Sequence, residues 1–157
     1  MHPRATELIT KLNLEQHPEG GYYREIFRSA GLVMPTDGRG PRAALTTIYY
    51  LLPAGIVSRW HRVASDEVWH LYEGGPLEVL DVDSACKELS RHKLESTAPV
   101  CTVAAGHWQA ARSLGDYALA GCTVGPGFDF ADFAILADDP PSASRLLALG
   151  DDLALLL

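Results

Sequence analysis

One histidine and one glutamate, six residues apart and bracketed by glycines, offer the most legible chemistry in this sequence. The stretch runs Gly55-Ile-Val-Ser-Arg-Trp-His61-Arg-Val63-Ala-Ser-Asp-Glu67, and Gly74 follows. Side chains alternate along a strand, so Arg59, His61 and Val63 share one face. A turn at 64–66 then lets Glu67, Trp69 and Leu71 look into the same interior. His61 is a candidate general base, because imidazole titrates near neutral pH. Glu67, buried beside it, would orient the ring and stabilise its cation. Tyr117, Tyr49 and Tyr23 are candidate acids, and the sequence does not choose among them. Such a set abstracts a proton next to a carbonyl, which is the chemistry of epimerisation or isomerisation. The competing reading is a satisfied buried pair with no catalytic role.

Around that pair stand residues suited to holding a ligand. Trp69 has the parity of Glu67, which puts a flat aromatic wall inside, whereas Trp60 and Trp108 read equally as core. Arg59 has the parity of His61 and could grip a carboxylate or phosphate, or else lie solvated at the mouth. Phe128 and Phe130, next to Gly125-Pro126-Gly127, close one end of a pocket or plug it. His70 lies three residues from Glu67 and points to the other face. Glu19-Gly20-Gly21 lacks the following helix of a phosphate loop and reads as a tight turn. Cys86, Cys101 and Cys122 show no close pairing and read as buried reduced thiols in strand-like surroundings.

The elements that must position these groups are short strands. The 157 residues are 47% apolar and 21% charged, the balance of a globular domain. A net charge of −7 argues against a nucleic-acid surface and against acidic membranes. No apolar run has signal-peptide or membrane-span length, so a cytoplasmic location is expected. A helix is predicted over Thr6–Leu14 with Thr6 as cap, then an aromatic strand over Tyr22–Phe27 and a loop over 31–42. Strands are predicted at 44–52, 56–63, 67–73, 77–82, 87–94, 100–104, 108–111, 117–124 and 130–136. Glycine- and proline-rich turns separate them, with no helix between, which indicates an all-β sandwich or barrel. A short C-terminal helix is expected over Ser142–Leu149, followed by a DDLALLL end that docks on the barrel or on a second subunit. One domain over 1–157 is expected, its barrel core at about 43–137.

The spacing around His61 resembles the first cupin motif. Gly55, His61, Glu67 and Gly74 match it, while Val63 stands where a second histidine belongs. Ala104-Ala105-Gly106-His107-Trp108-Gln109 is the counterpart of the second motif, with Gln109 for its histidine and Ala104 for its proline. His17-Pro18-Glu19-Gly20-Gly21-Tyr22-Tyr23-Arg24, Ile48-Tyr49-Tyr50-Leu51-Leu52, Asp66-Glu67-Val68-Trp69-His70 and Cys122-Thr123-Val124-Gly125-Pro126-Gly127-Phe128 look like one cupin subfamily of unknown function. The resemblance implies a jelly-roll β-barrel (double-stranded β-helix) similar to the deoxysugar epimerases, and a homodimer. It also implies either no cofactor or a single divalent metal, which His61, Glu67 and Gln109 would hold, with His107 as a possible substitute. The partner expected is a small polar molecule, a sugar derivative or related carbonyl compound, with Gln109 and Trp69 positioning it. Two other functions fit the resemblance: a non-catalytic small-ligand binding protein, and a metal-dependent dioxygenase or decarboxylase.

Overall fold

The computed structural model describes residues 1–157. Its elements in chain order are α1 (Pro3–Leu12), β1 (Glu15–Gln16), β2 (Tyr22–Arg28), β3 (Leu32–Val33), β4 (Arg42–Ala43), β5 (Thr46–Pro53), β6 (Val57–Val63), β7 (Asp66–Gly74), β8 (Leu77–Val82), β9 (Leu89–Leu94), β10 (Val100–Val103), β11 (Trp108–Ser113), β12 (Tyr117–Gly125), β13 (Phe133–Ile135) and α2 (Pro140–Leu147). Short 3-10 turns cover Phe130–Asp132, Leu136–Asp138 and Asp151–Leu156. Six strands form one antiparallel sheet in the order β1-β2-β5-β12-β7-β10, and five form the other in the order β13-β6-β11-β8-β9. The sheets face each other as a jelly roll, as the run of short strands indicated.

Differences from the sequence reading are local and have local causes. Helix α1 begins at Pro3, before Thr6, because Pro3 needs no hydrogen-bond acceptor and the His2 imidazole accepts from the Arg4 N–H at 3.2 Å. The expected strand over 130–136 shrinks to β13, because the Asp129 carboxylate accepts from the Ala131 N–H and curls 130–132 into a turn. The 31–42 loop carries a two-residue hairpin, β3 against β4. Cys86 sits in the turn after β8, with φ of 55°, and Cys101 is only half-buried on β10. No helix is long and apolar enough to cross a membrane.

Alternation along the strands divides the core into three layers. Inside the barrel, Tyr50, Leu52, Trp69, Leu77, Val79 and Leu94 fill one end and leave the other open. On the outer face of the six-stranded sheet, Ala5 and Leu8 of α1 cover Leu51 and Leu119. On the outer face of the five-stranded sheet, Leu146, Leu153 and Leu156 of the C-terminal tail cover Trp60, Leu80, Val82 and Trp108. The tail therefore docks on its own barrel.

Helix α1 is also tied down by charge. Arg4 donates to both carboxylate oxygens of Glu73 at 2.7 and 2.9 Å, and the Tyr117 hydroxyl donates to the same group at 2.7 Å. These bonds hold the Glu73 carboxyl down at about 2, from an ordinary 4.5. Because the folded value lies below the unfolded one, the stabilisation is present above pH 4.5 and is lost as pH falls through about 2. Melting temperatures of the wild type and of Glu73→Gln should therefore differ near neutral pH and converge on acidification. A difference that persists undiminished at pH 2 would refute the assignment.

Candidate functional site

The open end of the barrel is a cavity of about 490 Å3, within the range of small-molecule sites. His61 and Glu67 both line it, as do Phe128, Phe130 and Val63. The carboxylate that meets the His61 ring is Glu19, however, not Glu67. His61 Nε2 lies 3.2 Å from Glu19 Oε2, and its Nδ1 lies 2.7 Å from the Arg59 carbonyl oxygen. A carbonyl only accepts, so Nδ1 carries a hydrogen. Nε2 then faces the Glu19 carboxylate across the cavity wall. The Ser58 hydroxyl donates to the other Glu19 oxygen at 2.8 Å.

Glu19 reaches this position through the turn from His17 to Gly21. Gly20 and Gly21 have φ of 113° and 71°, conformations that favour glycine. A Cβ at Gly20 would collide with the Val57 carbonyl oxygen, so the turn runs hard against β6. Bonds on both sides hold it there: the Arg59 N–H donates to the Glu19 carbonyl at 2.8 Å, the Arg59 guanidinium to the Pro18 carbonyl at 2.6 Å, and the Tyr50 hydroxyl to the Gly20 carbonyl at 2.7 Å. Arg59 thus fastens the turn and does not line the cavity.

A β-bulge explains why strict alternation misplaced Arg59. Against β11, Gln109 pairs with His61 but Ala111 pairs with Ser58, so β6 carries one extra residue. Ser58 and His61 consequently share the inner face, and Trp60 turns outward to the tail. A second bulge in β2, between Glu25 and Phe27, brings Glu25 and Arg28 together at the cavity mouth.

Glu67 has a different setting. The Gln109 amide donates to its Oε2 at 2.6 Å, and the Trp69 indole N–H donates to Gln109 Oε1 at 2.9 Å. Trp69 and Gln109 are fully buried behind Glu67 and do not line the cavity. Burial raises the Glu67 carboxyl above its ordinary range, against the opposing pull of the His61 ring and with a smaller push from Glu19 in the same upward sense. Burial likewise raises the Cys122 thiol, which lines the cavity beside Glu67, well above its ordinary value. That thiol stays protonated and unreactive.

His17 is another cavity residue that sequence reading passed over. The Glu19 backbone N–H donates to its Nδ1 at 3.3 Å, and burial lowers its ring below the usual histidine range. His17 is therefore a neutral acceptor, and its 3.6 Å approach to the Glu19 carboxylate is proximity without an ion pair. Of the three candidate acids, Tyr23 lines the cavity. Tyr117 bonds Glu73 on the outer surface, and Tyr49 packs there with Tyr72. His107 bonds Asp81 at 2.8 Å, away from the cavity lining.

The residues present do not suit a metal. His61 has both nitrogens engaged, Gln109 turns its amide to Glu67, and Val63 offers no donor. No three His, Cys, Asp or Glu side chains converge as a ligand set.

Two solved structures match across nearly the full chain. A hypothetical protein from Leishmania major is 30% identical with a TM-score of 0.81, covering 97% of this chain and 96% of its own. A protein from Shewanella oneidensis is 33% identical with a TM-score of 0.72, covering 90% of this chain and 94% of its own. Oxalate decarboxylase from Bacillus subtilis is 16% identical with a TM-score of 0.58 over 78% of this chain and 30% of its own, a likeness of fold alone. No curated protein matches the sequence. Residues 6–136 match the Cupin superfamily (DUF985), and with these two chains sharing the same roll the protein belongs to that family.

Proposed function

We propose that the chain epimerises or isomerises a small polar carbonyl compound, a sugar or a relative of one, using its own side chains as acid and base. The observation that supports this best is a pair of buried carboxylates lining one cavity in opposite settings. Glu19 accepts from Ser58 and is backed by His61, while Glu67 is buried and held toward its neutral form. Two carboxyl groups in unlike surroundings in one cavity can divide the roles of base and acid. His61 keeps its place in the base, as the ring that faces Glu19.

In the reaction, the Glu19–His61 pair takes a proton from the carbon next to the carbonyl. The C–H bonding electrons move into the carbon–carbon bond, the carbonyl π electrons move to oxygen, and Glu67 donates its proton to that oxygen. Return of a proton to the same carbon from the other side, with the enol oxygen handing its proton back to Glu67, gives the epimer. Return to the former carbonyl carbon, with loss of the hydroxyl proton next door, gives the isomer. No oxidant or other reactant is consumed.

The test is proton exchange, which does not require the natural substrate to be known. Aldoses, ketoses and amino sugars incubated with the protein in deuterium oxide should lose the C–H signal beside the carbonyl in at least one compound. A compound that saturates the cavity and exchanges no hydrogen would instead mark a binding protein.

A further inference from the structure

The charges around the cavity favour one class of ligand. Its wall carries four acidic side chains, Glu19, Glu25, Asp129 and the carboxyl of Glu67, against one guanidinium, Arg28. Arg28 is already neutralised: its Nε and one terminal nitrogen donate to the two oxygens of Glu25 at 3.0 and 2.7 Å, and the other donates to the Phe128 carbonyl at 3.0 Å. An anionic ligand would have to break that fork before gaining an ion pair. Glu19 Oε2 lies 3.2 Å from His61 Nε2. Glu67 and Asp129 have no cation within ion-pair distance, and only one oxygen of Asp129 is hydrogen-bonded, by the Ala131 N–H at 2.8 Å.

Beside Asp129 the wall is aromatic. Phe128, Phe130 and Phe133 all line the cavity and meet edge to face, with ring centroids 5.0 to 6.1 Å apart. Phe130 is 56% exposed, an apolar ring held open at the mouth next to a half-satisfied carboxylate. Ring faces carry negative electrostatic potential and attract ammonium groups. Glu67, more than nine-tenths buried, adds a carboxyl group deeper in the same cavity.

We propose that the ligand is a small organic cation, an amino sugar or an amino-carbonyl compound of similar size. Asp129 and the phenylalanine rings receive its ammonium group at the mouth, and the carbon skeleton extends toward Glu19 and Glu67. The orientation rests on the acid–base reading above, whereas the preference for a cation does not.

Equilibrium binding with probes that share one ring tests the preference. Glucosamine should bind about tenfold or more tighter than glucose at low salt, and glucuronate weaker than glucose. Asp129→Asn should narrow the gap between glucosamine and glucose. Glucuronate binding as tightly as glucosamine would overturn the proposal, and so would a gap insensitive to Asp129→Asn. Failure of both glucosamine and tetramethylammonium to bind would overturn it as well. If selectivity for the amine holds but no probe exchanges hydrogen in deuterium oxide, the catalytic reading fails and the cation site stands.

Discussion

Glu19→Gln should slow hydrogen exchange by about 10²–10⁴-fold, the range for removing a positioned general base, while the protein stays folded. The amide keeps the shape of the carboxylate. Its oxygen still accepts from the Ser58 hydroxyl, and its NH2 can donate to His61 Nε2, where 3.2 Å now separates the pair. His61 Nδ1 keeps its bond to the Arg59 carbonyl. Every buried polar group therefore remains partnered, and the lost quantity is the site for the abstracted proton. His61→Ala should give a comparable loss, but it also opens a gap beneath Phe133, whose ring centroid lies 5.6 Å from that of His61.

Glu67→Gln separates the acid from the base through pH. The raised carboxyl donates only while protonated, so wild-type exchange should fall as pH rises through its folded value. That limb should be missing in Glu67→Gln. Stability moves in the same sense: a folded pKa above the ordinary 4.5 means that burial of Glu67 costs more as pH rises through the raised value. The melting temperature of Glu67→Gln should accordingly gain on the wild type across that window. Exchange unchanged in both Glu19→Gln and Glu67→Gln would refute the two-carboxylate assignment.

The barrel was legible in the sequence because strand alternation and turn residues are local properties. The span Leu77–Val82 was read to the residue, and Glu67 and Trp69 were given the correct face. What alternation could not provide was the partner of His61. Glu19 is distant in sequence, and its contact depends on how closely one turn crosses β6. The paired glycines at 20 and 21 were the available signal, since Gly20 marks a close approach of backbone to backbone. Arg59 was misplaced for another reason. A single extra residue in β6 reverses the parity of everything before it, and no residue type in Ser58-Arg59-Trp60 announces the bulge. Trp69 and Gln109 were placed inside correctly but stand behind Glu67, because the indole N–H must find an acceptor once buried and takes the Gln109 amide oxygen.

Deleting residues 140–157 should unfold the protein or leave it aggregated, although the deleted segment supplies no residue to the cavity lining. Residues 6–136 hold the family match, yet the outer face of their five-stranded sheet is apolar: Trp60, Leu80, Val82 and Trp108 are fully buried only because the tail lies on them. Leu146, Leu153 and Leu156 are themselves fully buried, and each such side chain contributes about 1.5–3 kcal/mol. Their loss, together with exposure of two indoles, rivals the roughly 5–15 kcal/mol that holds a typical domain folded. The Trp60 indole N–H, which donates to the Leu153 carbonyl at 3.0 Å, loses its acceptor too. Charge plays little part, because the Arg91–Asp152 pair is exposed and such pairs contribute about 0–1 kcal/mol. Leu153→Ala gives a milder version that should remain soluble, costing about 2–5 kcal/mol. Denaturant unfolding measures that cost, and tryptophan emission, shifted to the red as Trp60 and Trp108 meet water, reports where the damage lies. A truncated chain that melts with the wild type and keeps its blue emission would show that the sheet face is stable uncovered.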